Sequence, residues 1–223
     1  MCIRDRPGPP LALTSPAYAR DVNEIQAIGG AVSSVRTADQ TTQALFWTDH
    51  DARQWNDGLL RLATARRLNL VQTARMLAMA HVAGADAIIA CFDAKYHYWS
   101  WRPYQAITQA DLDGNPLTLA DASWRPLATT PSHPEYPAAH ACHTSAVVTA
   151  LQAFFGTDDV PLSLDSRVTG TTREYRRLHD AVDDVGVARI LAGFHFRHSV
   201  DVGTLLGRTV GRYDTDHAFQ RLG

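Results

Sequence analysis

AAHACHTSAVVTALQAFFG, Ala138 to Gly156, is the stretch that decides the fold. Its apolar residues follow a helical pattern, and its small side chains permit close approach by a second helix. The same periodicity extends upstream. Trp55, Leu59, Leu62, Leu68, Val71, Met76, Leu77, Met79, Val82, Ile88 and Ile89 recur at three- and four-residue intervals, with a break near Asn69. Ser15-Pro16 ahead of AYARDVNEIQAIG supplies a cap and a first-turn proline, and Gly29-Gly30 is the stop. Thr37 through Trp47 forms another short helix. Downstream, helices are expected over about Thr171 to Ile190 and about Asp201 to Tyr213. With no alternating run, repeat or heptad, the pattern predicts an all-α helical bundle.

The chain has 223 residues, 45% of them apolar and 20% charged, with 14 Gly and 11 Pro, enough for a packed core in one domain. Its 21 basic and 23 acidic residues give a formal charge of -2, so no general cationic surface is offered to nucleic acid. Cys2, Cys91 and Cys142 have neither the pairing of a zinc ribbon nor the even number of a disulfide framework. The most apolar run, Met76 to Cys91, is interrupted by His81 and Asp86, so no membrane span is expected. The opening MCIRDRPGPP lacks a signal-peptide pattern and reads as a non-native or disordered leader over 1–10, leaving 11–223 as the helical domain. The sequence leaves the compartment of this soluble chain open, and a secreted or periplasmic parent protein fits if a targeting segment is missing with the true start.

Pro103 to Pro137 is rich in Pro, Gly, Asp, Thr and Ser without a period, and is expected to be one long ordered loop. Compact domains keep such loops where a site or an interface needs them. Three islands of cationic or imidazole side chains surround it. KYHYWSWRP places Lys95 and Arg102 seven residues apart, near one helix face, although Pro103 argues against a continuous helix. PSHPEYPAAHACHTSA carries His133, His140 and His143; Pro137 suits a first helical turn, and His140 then lies at the positive helix end, which favours an anion and a neutral imidazole. ARILAGFHFRHSVDVG carries Arg189 and His195, with Gly193 between them and Phe194 and Phe196 flanking the histidine. Each island alone also fits ordinary helix packing, with His143, Arg197 and His198 facing another helix or solvent. Together they suit a buried oxyanion such as phosphate or vanadate, which needs several donors.

The arrangement Lys-x6-Arg-Pro, then Pro-x-x-His, then Arg-x5-His resembles the vanadium-dependent haloperoxidases, within the type 2 phosphatidic-acid phosphatase superfamily. Lys95, Arg102, Pro103, Arg189 and His195 match the outer motifs; in the middle motif Pro137 and His140 match, while Ala138 and Ala139 stand where the family carries Ser and Gly. The segments TSPAYARDVNEIQAIG and RTADQTTQALFW share the resemblance, so it covers nearly all of the chain after its first ten residues. It implies the later helical half of a larger, two-bundle enzyme, able to form a homodimer, that oxidises halide with hydrogen peroxide and halogenates a small organic acceptor. It further implies that Lys95, Arg102 and Arg189 bind the oxygens of vanadate, with Ala138 and Ala139 lining the same site. His195 bonds the metal, and His140 handles the proton. His133 stands where bromide-type members carry His, which favours bromide.

Ala138 cannot supply the family's serine hydroxyl, a loss of roughly 1.5–3 kcal/mol when uncompensated. The nearest rival is a phosphatase with His195 as nucleophile and phosphate in the vanadate site. That branch commonly carries Asp four residues after the nucleophile, where this chain has Ser199. A non-catalytic helical interaction protein would leave these side chains dispersed. A metal-dependent hydrolase would require His133, His140, His195 and His198 to gather with carboxylates.

Overall fold

The structure is a computed structural model, and it describes residues 6–219. Helices dominate: α1 Pro16–Ile28, α2 Ala38–Phe46, α3 Asp51–Ala65, α4 Leu70–Tyr98, α5 Pro103–Thr108, α6 Ala139–Phe155, α7 Asp180–Leu191 and α8 Arg197–His217. The expected starts hold where a cap dictates them. The Ser15 side chain accepts from the Tyr18 amide, with Pro16 at the first helical position, and Thr37 forms a reciprocal capping box with Gln40. Asn69 forms another with Gln72, which is why the apolar run breaks there into α3 and α4.

Besides the start of α8, at Arg197 rather than about Asp201, three expectations change. Thr171–Tyr175 is not helical; it pairs antiparallel with Leu162–Ser166 as a two-stranded hairpin, β2 against β1. Leu162, Leu164 and Ser166 alternate inward, a signal too short to stand out in the sequence, and α7 starts only at Asp180. The segment from Pro103 is not one loop, since α5 and a 3-10 turn at Ala110–Leu112 occupy its beginning. Pro137 lies before the cap residue Ala138, outside the first turn of α6.

Residues 1–5, with Cys2, lie outside the described residues. Arg6 pairs with Asp93, and the carbonyls of Pro7 and Gly8 accept from the hydroxyls of Tyr98 and Tyr136. Cys91 and Cys142 are free and buried. By length and composition, Leu70–Thr108 contains a window apolar enough to cross a membrane despite His81 and Asp86. In the fold, α4 packs along α6 and α8, burying Met76, Met79, Ala83 and Ala87.

α6 is the central helix, buried on nearly every side against α4, α7 and α8. Its contact with α8 is unusually close. Gly203, Gly207 and Gly211 face the carbonyls of Ala138, Cys142 and Ala146, so both helices meet through rows spaced by four residues. A Cβ at those glycines would lie 2.7, 2.0 and 2.8 Å from the three oxygens. The larger side chains gather elsewhere, in a core of Phe46, Trp47, Trp55, Leu59, Val147, Leu151, Leu164 and Val185. Gly207→Ala is therefore expected to cost about 1–3 kcal/mol, because helices this close must separate to admit a methyl group. The midpoint of urea unfolding measures it, and an unchanged midpoint would contradict the packing described.

Candidate active site

The three islands meet where α4, α6 and α7 approach one another. α4 carries Lys95 in its last turn and ends at Trp99 in the left-handed region, φ 51°. The chain turns there, and Arg102 returns as the cap residue of α5 rather than on the face of a continuous helix. His133 and Glu135 come from the irregular run ahead of α6, and His140 from that helix's first turn. Arg189 lies in the last turn of α7. Gly193, at φ 79°, then brings the backbone so close to Gly29 that a Cβ would stand 2.4 Å from the Gly29 carbonyl oxygen, and His195 follows just before α8.

All three cations are buried: Lys95 is 0%, Arg102 4% and Arg189 1% exposed. Lys95 Nζ donates to the carbonyls of Pro134 and Glu135, both at 2.8 Å. Arg102 donates to the carbonyls of His133 and Phe194, and its Nη2 lies 3.0 Å from His133 Nδ1. Arg189 donates to the Trp47 carbonyl and lies over the Phe194 ring. Burial lowers Lys95 to about 8, Arg102 to about 10 and Arg189 to about 9, so each stays charged at neutral pH.

His195 sits among them. Its Nδ1 lies 2.9 Å from Glu135 Oε1, which also accepts from the Phe196 amide, and its Nε2 lies 3.2 Å from Arg102 Nη1. Burial, then the charges of Arg102, Lys95 and Arg189, push His195 far below the usual imidazole range and keep the ring neutral. This network assigns the proton to Nδ1, where it meets the carboxylate, and leaves the Nε2 lone pair facing the cations. Burial raises Glu135 to about 7, with Lys95 and Arg102 pulling the other way. His140 is lowered to about 3 by burial first and Arg189 second; Asp51, at the start of α3, opposes them. His140 Nε2 and Arg189 Nε are buried without a partner.

The structure thus brings Lys95, Arg102, His133, Arg189 and His195 together, with His140 beside Arg189. Ala138 and Ala139 are buried at the adjoining helix start, with no side-chain cap. His143 stands apart, 3.3 Å from Asp51 and packed against Gly84 of α4. Arg197 is exposed and paired with Glu24, while His198 stacks on Tyr136. Among the described residues, no group of three or more His, Cys, Asp or Glu is placed to hold a metal ion, which counts against the hydrolase that was to use His133, His140, His195 and His198. Glu135 and Asp51 were missed as contributors. A lone carboxylate between prolines has no periodic signature, and Asp51 is 89 positions from His140.

Residues 75–223 match a family model, VCPO second helical-bundle domain. The chain is 26% identical over 215 residues to vanadium chloroperoxidase of Curvularia inaequalis, covering 76% of this chain and 35% of that protein. Its fold is similar to the first bacterial vanadium-dependent iodoperoxidase, with TM-score 0.84 at 24% identity, covering 96% of this chain and 53% of the other. It is also similar to an apo-type bacterial vanadium-dependent chloroperoxidase, with TM-score 0.74 at 18% identity, covering 97% and 52%. The chain therefore spans about a third of the fungal relative and about half of each solved one.

The half-buried ring of His133 gives a pH prediction. Burial, then Lys95 and Arg102, lower it to about 4 from an ordinary value near 6.5, so its contribution to stability is full above 6.5 and is lost as pH falls toward 4. Glu135, held near 7, acts oppositely and stabilises the fold as pH falls from 7 to about 4.5. His133→Gln is expected to flatten the loss of stability between pH 6.5 and 4.5 by up to about 1 kcal/mol per pH unit, allowing for partial exposure, and Glu135→Gln to steepen it. Urea titrations across that range read both slopes.

Proposed function

The chain belongs to the vanadium haloperoxidase family, and from that premise we propose that it carries a vanadate site at which hydrogen peroxide oxidises a halide, bromide by preference. The observation that carries this reading is the gathering of three buried cations around one neutral histidine whose Nδ1 proton is committed to Glu135. The donor set fits an oxyanion. Buried positive charge outweighs the nearby carboxylates, and Arg189 Nε and His140 Nε2 have no partner of their own.

Lys95, Arg102 and Arg189 would hold the oxygens, and His195 would offer Nε2 to the metal. Bound vanadate supplies a Lewis-acidic centre that polarises peroxide toward attack by halide, with a small organic acceptor taking the halogen. Glu135 fixes the His195 ring by accepting the hydrogen bond from its Nδ1–H, which keeps the opposite nitrogen basic. His140 is poised to accept or return a proton at Nε2, since an anion beside it would raise its basicity. His133, held beside Arg102 with its ring 5.0 Å from Phe92, is the position at which the family resemblance favours bromide.

One observation favours a second reading, phosphate monoester hydrolysis with His195 as nucleophile and His140 as acid. Ser199 stands four residues after His195 where that branch carries Asp, yet Glu135 provides a carboxylate at His195 Nδ1 from elsewhere in the chain. A helical scaffold is the weaker alternative, because it expects the charged side chains to point apart.

Purified protein loaded with orthovanadate is expected to brominate an activated phenol in the presence of bromide and peroxide, and His195→Ala to abolish this. Folded protein that fails to bind vanadate by calorimetry would overturn the reading. Phosphate release from p-nitrophenyl phosphate by the vanadate-free protein, lost in His195→Ala, would favour the second. Ala138→Ser restores the hydroxyl implied by the family resemblance, and is expected to tighten vanadate binding about tenfold, the equivalent of about 1.4 kcal/mol.

A further inference from the structure

Glu135 also lines a cavity of about 400 Å³ that neither Lys95 nor Arg102 lines. Its walls are aromatic, Tyr18, Tyr98, Trp99, Trp101, Tyr136 and Phe196, together with residues 9–13. The size suits a small organic molecule. Its charged lining is acidic, Asp21 and Glu135, and no Lys or Arg lines it. An oxyanion or halide is repelled there, so this is not a second copy of the cationic site.

Two polar atoms around the cavity lack partners. Tyr18 Oη and Ser100 Oγ are buried and unbonded, and Tyr18 is 5% exposed as a residue. Buried hydroxyls without partners are uncommon, and two around one cavity point to an occupant that bonds to them. Each hydroxyl can accept, as can the Asp21 carboxylate, which takes only one amide bond, from His198. Burial raises Asp21 above its usual range, a sign that its charge is under-compensated, and nearby Arg197 is already engaged by Glu24. An ammonium group brings three donors and no acceptor, and aromatic faces attract its charge. Trp99 lines the cavity yet is 68% exposed, so the cavity reaches the surface at that residue.

We propose that this cavity binds a small primary ammonium ion with an aromatic body, its head group at Asp21 and the orphaned hydroxyls and its ring among the tyrosines and tryptophans. The site is separate from the vanadate reading, sharing only the Glu135 wall with it, and it can be tested on protein without vanadate.

The probe is phenethylammonium, with 2-phenylethanol as its neutral counterpart, titrated by calorimetry into the full chain. The ammonium is expected to bind at least tenfold tighter than the alcohol. Asp21→Asn retains an oxygen acceptor for the His198 amide at the start of α8, so it removes the charge while keeping the cap. It is expected to weaken ammonium binding at least tenfold and to leave alcohol binding within twofold. Trp99→Ala, at a position 68% exposed, is expected to weaken it about fivefold, and stands in should Asp21→Asn fail to fold. Equal affinity for ammonium and alcohol, no saturable binding by folded protein, or unchanged affinity in the folded variants would each overturn the proposal.

Discussion

Keeping three cations charged in the protein interior is the constraint on which the rest of this structure depends. Removing Lys95, Arg102 and Arg189 from water costs several kcal/mol each unless polar groups replace the hydration shell. One nearby carboxylate, Glu135, cannot do this alone, and it is already shared between His195 and the Phe196 amide. The replacement comes chiefly from backbone carbonyls, at Trp47, His133, Pro134, Glu135 and Phe194. Helices and sheets consume their own carbonyls, so a site solvated this way has to be bordered by irregular chain or helix ends. That explains the irregular run ahead of α6, which provides three of these oxygens within three consecutive residues. It also explains why Trp47 and Phe194 sit just past the ends of α2 and α7.

Such a site needs a rigid surround, and two contacts provide it. The glycine row of α8 fixes α6, and with it the position of Ala138 and His140. α7 is fixed at its other face by Asp184, which accepts from Gln43 and Trp47 of the α2 region and from Arg173 and Tyr175 of the hairpin. The two short strands are thus a brace for α7. They hold the helix that presents Arg189, and Trp47 joins both functions by donating to Asp184 from its ring and accepting from Arg189 at its carbonyl.

Much of the helical frame was legible in the sequence because local chemistry dictates it. Ser15-Pro16, Thr37 and Asn69 each satisfy their own helix start, and the periodic run between Trp55 and Ile89 needed only the Asn69 box to divide it. α8 begins ahead of its expected start because its opening amides are satisfied from far away, by Asp21 of α1 at His198, so no cap appears in the adjacent sequence. The hairpin was hidden for a similar reason: five-residue strands show their alternation only against the core they cover. Within the candidate site, cations and histidines stood out by type and by the family resemblance. Glu135 did not, since its meaning lies in a contact across 60 positions.

Solvating the cations by backbone rather than by side chains has a consequence for how this pocket can drift. A carbonyl is present whatever residue bears it, so exchanges at His133 or Pro134 can alter shape and selectivity while Lys95 and Arg102 keep their oxygens. Ala138 and Ala139 fit that pattern, standing where the family resemblance implies a serine and a glycine, beside a charged cluster that stays gathered. The pocket's electrostatic foundation is in this sense encoded by the path of the chain. Its chemical preferences are left to a thin layer of side chains that mutation can rewrite one at a time.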